Sequence, residues 1–171
     1  PGFLRLCLQP QVLHEICTPA FLGRRQQHSS FQMQAAMEFT PACEAEEAGI
    51  ALVQDDRFHY TATVSMEDGQ PVIRAACVKN SVRTTLARQP LHRAGRLYLT
   101  VSADKAGYHF YYGYEPQQMT ALVTGADPVL LSSVTNAGFT GTYLGMYASS
   151  NWQESENHAD FDWFLYEGST G

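Results

Sequence analysis

A two-residue alternation of apolar and polar side chains governs this sequence. It runs through "FLRLCL" at 3–8, "FQMQAAMEF" at 31–39, "RFHYTATVS" at 57–65, "PVIRAACV" at 71–78, "RLYLTVSA" at 96–103 and "YHFYYGY" at 108–114. Successive side chains of a strand point to opposite faces, so each segment reads as a strand with one face on a core and one in water. Turn formers separate them: "EDGQP" at 67–71, "RAG" at 93–95, "ADKAG" at 103–107 and "EPQQ" at 115–118. "AGIALVQ" at 48–54 is a more continuous apolar run and reads as a central strand. No stretch keeps a helical period over three turns, although "SSVTN" at 132–136 fits one short turn of helix. About ten short strands at even spacing predict an all-β, antiparallel two-sheet sandwich. No internal repeat of the propeller or solenoid kind is present.

The 171 residues suit one domain, 1–171, with a sizeable core. A composition of 44% hydrophobic and 16% charged residues excludes a disordered chain. A formal charge of −6 with no basic patch argues against nucleic acid as a partner. No apolar run is long enough to cross a membrane as a helix. The first residues lack the parts of a signal peptide, which slightly favours a cytoplasmic setting, and the start at Pro1 reads as a piece cut from a longer polypeptide. Cys7, Cys17, Cys43 and Cys77 lack the close pairing of zinc or redox sites; their even number allows two disulfides, but their wide spacing favours free buried thiols. The segments at 8–19 and 149–158 read as surface loops.

Signs of catalysis are scarce. Hydrolysis of a glycosidic bond needs two or three converging carboxylates. Glu38, Glu44, Glu46, Glu47, Asp55, Asp56, Asp160 and Asp162 show no pair marked as acid and base, and "EAEE" at 44–47 reads as a solvated loop. Glu38 reads as a water-facing residue or a loop anchor. No G-x-S-x-G, histidine zinc spacing or glycine-rich phosphate loop occurs. His59 and His109 read as sheet-face residues. In "HADFDWFLYEG" at 158–168, Phe161, Trp163 and Leu165 fall on one face and Asp162, Phe164 and Tyr166 on the other. Such a strand should be central, and Asp162 must find donors. Arg24 or Arg25 is the expected partner in a structural role. The alternative is calcium at Asp162, in a chain otherwise expected to need no cofactor.

"GFTGTYLGMYA" at 138–148 places Phe139 in a bend between glycines before a strand. Such a ring either plugs the end of the core or is held out toward something else. Trp152, Tyr147 and Tyr143 are candidates for stacking on pyranose rings.

"FLGRRQQHSSF", "EFTPACEAEEAGIAL", "FHYTATVS", "GFTGTYLGMYAS" and "ADFDWFLYE", in this order, resemble the concanavalin A-like domain that ends many family 43 glycoside hydrolases, chiefly β-xylosidases and α-L-arabinofuranosidases. The resemblance implies a concanavalin A-like β-sandwich (jelly roll) packed on a five-bladed propeller in the same polypeptide. That propeller carries three catalytic carboxylates and acts by inversion on a xylo- or arabino-oligosaccharide. It also implies that Phe139 and Thr140, in the "GFTG" loop, contribute to the substrate pocket. The chain alone is then expected to have no catalytic residue. A free-standing carbohydrate-binding module for xylan-type or related glycans is the rival reading. An exposed sheet edge would also allow a homo-oligomer.

Overall fold

The computed structural model describes residues 4–8, 20–25, 30–53, 58–79, 82–104, 107–126, 143–151 and 155–169. These contain twelve strands: β1 Leu4–Cys7, β2 Ala20–Arg25, β3 Ser30–Phe39, β4 Glu47–Val53, β5 Phe58–Glu67, β6 Gln70–Lys79, β7 Val82–Pro90, β8 Gly95–Asp104, β9 Gly107–Glu115, β10 Gln118–Ala126, β11 Tyr143–Ser149 and β12 His158–Ser169. They form two six-stranded antiparallel sheets. Sheet A runs β1-β12-β3-β8-β9-β10 and sheet B runs β2-β11-β4-β5-β6-β7. The predicted sandwich is observed, and β4 lies inside its sheet as the continuous apolar run requires.

The alternation supplies the filling between the sheets. Met33, Met37, Leu99 and Phe110 from sheet A meet Ile50, Leu52, Val64 and Ile73 from sheet B in one buried cluster. Tyr60 of sheet B ties the layers, with its ring centre 5.9 Å from Tyr108 and 6.1 Å from Phe110, both tilted. Tilted rings set an electron-poor edge against an electron-rich face. Burial pushes the Tyr108 phenol up to about 12. The β5–β6 hairpin closes through Asp68 and Gly69, whose φ values are 51° and 77°. Two successive positive φ angles match the right-handed strand twist, which is why Asp-Gly is favoured there.

Several expectations are corrected. β7 carries no apolar alternation because both its faces are largely exposed, Val82 to 65% and Leu86 to 40%; only its backbone pairing with β6 makes it a strand. On β5 the polar face is buried as well: His59, Thr61, Thr63 and Ser65 are at most 5% exposed. Their neighbours on that outer face of sheet B include the small residues Gly49, Ala51, Ala76 and Gly145 beside the larger Tyr147 and Arg74. Along β12 a bulge after Phe161 shifts the register. Phe161 pairs with Met37, but positions 164 and 166 then pair with Ala35 and Met33, residues of the core face. Leu165, expected to share the face of Phe161, is instead 48% exposed, because one extra residue reverses the parity of all that follow. Cys7, Cys43 and Cys77 are free thiols, but Cys7 is exposed and the other two are half-buried. Cys17, "SSVTN" and Asp55 and Asp56 lie outside the described residues.

Candidate functional site

Phe139 and Thr140 also lie outside the described residues, as does Trp152. What is described is the frame that carries the segment 127–142. It leaves sheet A at Ala126, paired with Tyr108, and enters sheet B at Tyr143, paired with both Arg25 and Val53. The segment thus spans from an edge strand of one sheet to an internal strand of the other.

Its first anchor is held closely. Gly107, at φ 126°, brings its backbone so near to β10 that a Cβ would come within 2.4 Å of the Ala126 carbonyl oxygen. Only glycine fits that approach. Next to it the Gly125 N–H donates to His109 Nδ1 at 3.0 Å, and His109 Nε2 lies 2.9 Å from Asp104 Oδ1. An Nδ1 that accepts leaves the ring proton on Nε2, where it donates to the Asp104 carboxylate. His109 therefore works as a peg on the last turn of β10, beyond the sheet-face role read from the sequence.

The carboxylates are engaged in structure. Asp162 accepts from Arg96 Nη2 at 2.7 Å, and Glu38 lies 3.4 Å from Arg96 Nη1. The partner of Asp162 is thus Arg96. Arg24 and Arg25 are described only in the backbone of β2, where they pair with Leu144 and Tyr143. Asp162 sits at the β12 bulge, a half-exposed position rather than a buried one, and a pair in such a setting contributes little stability. Arg5 donates to both oxygens of Asp160, at 2.8 and 3.0 Å, and this hydrogen bonding holds the Asp160 carboxyl below its usual range.

"EAEE" is the largest departure from the sequence reading. Glu46 and Glu47 are 5% and 3% exposed. Glu47 pairs with Arg83 at 3.2 Å. Glu46 accepts from the Ala42 N–H, the Ser155 hydroxyl and Asn157 Nδ2, each at 2.7 Å. Burial pushes its carboxyl up, but the three donors together outweigh burial and leave it below the ordinary value. A general acid for glycoside hydrolysis needs the opposite shift. Of the described residues in 149–158, Ser149 and Ser150 at the end of β11 are fully buried, Asn151, Ser155, Asn157 and His158 are half-buried and Glu156 is exposed. Two of the three donors, Ser155 and Asn157, lie more than a hundred residues from Glu46 in sequence, and no local signal marks them.

The aromatic candidates separate. Tyr147 is 2% exposed and packs with Ala51 and Val53 on the outer face of sheet B, so its ring presents no open face for stacking on a sugar. Tyr143 is described only in its backbone, beside Val53.

Residues 1–167 match the family described as the β-xylosidase C-terminal concanavalin A-like domain. This chain belongs to that family. A non-reducing end α-L-arabinofuranosidase of Bacteroides ovatus is 36% identical to the domain over 166 residues, covering 96% of this chain and 31% of the relative. A xylosidase/arabinosidase of Butyrivibrio fibrisolvens is 30% identical over 98% of this chain and 32% of its own length. Among solved structures, the Bacteroides ovatus xyloglucan-locus GH43B superposes with a TM-score of 0.92 at 31% identity, over 99% of this chain and 33% of that one. The domain thus spans about a third of the length of the curated relatives it matches.

Proposed function

We propose that this domain serves as the accessory C-terminal part of a family 43 glycoside hydrolase of the β-xylosidase or α-L-arabinofuranosidase type. The observation that carries the reading is the proportion of the match, which takes in nearly all of this chain but only about a third of its relatives. The remaining two thirds would hold a five-bladed propeller with the catalytic carboxylates, and inverting hydrolysis of a terminal xylosyl or arabinosyl residue would take place there. The engagement of Glu46, Glu47, Asp160 and Asp162 in structural contacts suits a domain that leaves the chemistry to a partner.

In this reading the "GFTG" loop reaches the propeller's mouth and Phe139, beside Thr140, walls the substrate pocket. The frame supports it: both ends of the loop are fixed by strands, so the loop's base is set by the sandwich. Phe139→Ala should leave the melting point of the lone domain nearly unchanged and lower kcat/KM of the full-length enzyme about tenfold or more, as loss of a ring contact does. A ring that plugs the core would instead cost the lone domain about 3–5 kcal/mol. Melting the wild-type and substituted domains side by side separates the two, and a large drop overturns the pocket-wall role.

A further inference from the structure

The outer face of sheet A carries charged groups at both ends. At one end Arg5, Asp160, Glu38, Arg96 and Asp162 pair among themselves. At the other stand Glu167 and the His109–Asp104 pair, and between the two ends a row of uncharged residues crosses the strands in register: Leu165 of β12, Gln34 of β3, Thr100 of β8 and Tyr111 of β9. Neighbouring strands lie about 4.8 Å apart, so the row from β12 to β9 covers roughly 14 Å. Gln32 and Ser102 stand beside it in the next row. Gln32, Gln34, Thr100, Ser102 and Tyr111, with Gln117 and Met119 at the rim, line a groove of about 390 Å³. In a chain with 11 basic and 17 acidic residues, none of the groove's lining side chains is charged.

We propose that this groove is a glycan-binding surface that takes a neutral oligosaccharide, separate from the loop at 127–142. Its chemistry carries the choice of ligand. Gln34 Nε2 donates to Thr100 Oγ1 at 3.1 Å and to the Pro116 carbonyl at 3.4 Å. A carbonyl can only accept, so the amide orientation is fixed and Gln34 Oε1 is left as a presented acceptor. Among the described residues nothing donates to it. Tyr111 adds a half-buried ring with a hydroxyl at its tip, and Ser102 adds a further hydroxyl. A sugar chain offers the matching pattern, with hydroxyl donors and acceptors at its edges and apolar C–H faces for the ring. A polyanion would find no Lys or Arg in the groove, and a peptide strand would seek a sheet edge rather than a face. Carriage on three paired strands keeps these groups in place before a ligand arrives.

The family reading enters only in the choice of probe. Xylohexaose, cellohexaose and, as the charged control, hexagalacturonate are titrated into the 15N-labelled chain, and backbone amide shifts are followed by NMR. A neutral hexaose should shift the amides of β3, β8 and β9 around Gln34, Thr100 and Tyr111. Tyr111→Ala and Gln34→Ala should each weaken that binding about tenfold at an unchanged melting point, the loss expected for one stacked ring or one hydrogen bond. Phe139→Ala should bind as the wild type does, so a failed pocket wall and a failed groove are read independently. The proposal is overturned if neither neutral hexaose shifts these amides, if the shifts lie elsewhere, if only hexagalacturonate binds, or if both substitutions leave binding intact. It is equally overturned if sedimentation shows a dimer that buries the face and that both substitutions dissociate.

Discussion

Glu46→Ala should lower the stability of the chain by about 2–4 kcal/mol, read as a fall in the urea midpoint, since three partly buried donors lose a buried acceptor, at up to about 1–3 kcal/mol each before the site relaxes. The donors are the Ala42 N–H, Ser155 and Asn157, and Asn157 also reaches the Thr40 carbonyl. Without the carboxylate, the connection before β4 and the one before β12 lose their common tie. The effect should depend on pH in a defined direction. The folded carboxyl is held below its ordinary value, so Glu46 contributes fully above the unfolded carboxylate range. That contribution is lost as the pH falls through the depressed folded value. The stability gap between wild type and Glu46→Gln should therefore be constant near neutrality and shrink at acid pH, below about 4. A gap that stays the same down to acid pH would show that the charge of Glu46 is not what the donors require.

Gly49→Ala should be comparably severe, with a loss of about 3 kcal/mol or more, at the upper end of overpacking. A Cβ at this position would stand 2.0 Å from the Ala62 carbonyl oxygen and 2.8 Å from the Thr63 Cα. Both atoms are backbone of β5, hydrogen-bonded across to β4, so neither can swing aside as a side chain could. Gly49 is also in register with Tyr147 of β11, which places the defect at the centre of sheet B. The expected readout is a fall in the urea midpoint, with Gly69→Ala as the comparison. At Gly69 nothing lies within 4 Å, and only the positive φ of 77° is at stake. Gly49 has no positive φ, so a loss at 49 no greater than at 69 would mean that close approach to β5 is not the reason for glycine there.

The sequence revealed what a single buried face writes into it. β3 and β8 alternate because one face of each meets the core, and their limits were readable from that period. β7 buries neither face, so nothing in its side chains announces a strand. The parity of β12 was misread beyond Phe161 because a bulge consumes one residue without leaving a mark in hydrophobicity. Glu46 looked solvated because burial of a charge depends on donors brought in by the fold, and Ser155 and Asn157 come from the far end of the chain. Asp162 was rightly given a cationic partner, but Arg96 is a cross-sheet neighbour that only the order β12-β3-β8 reveals. The Phe139 motif was singled out by its glycines and its likeness to a family, not by any period, and it lies outside the described residues.

The central claim, that this chain assists a separate catalytic domain, is tested most directly by turnover. Release of nitrophenol from 4-nitrophenyl β-D-xylopyranoside and from 4-nitrophenyl α-L-arabinofuranoside should be measured with the pure 171-residue chain. The account predicts no hydrolysis above buffer for either substrate. Turnover that disappears when one acid of this chain is changed, as in Glu46→Gln or Asp162→Asn, at unchanged folding would place the catalytic groups here and contradict it.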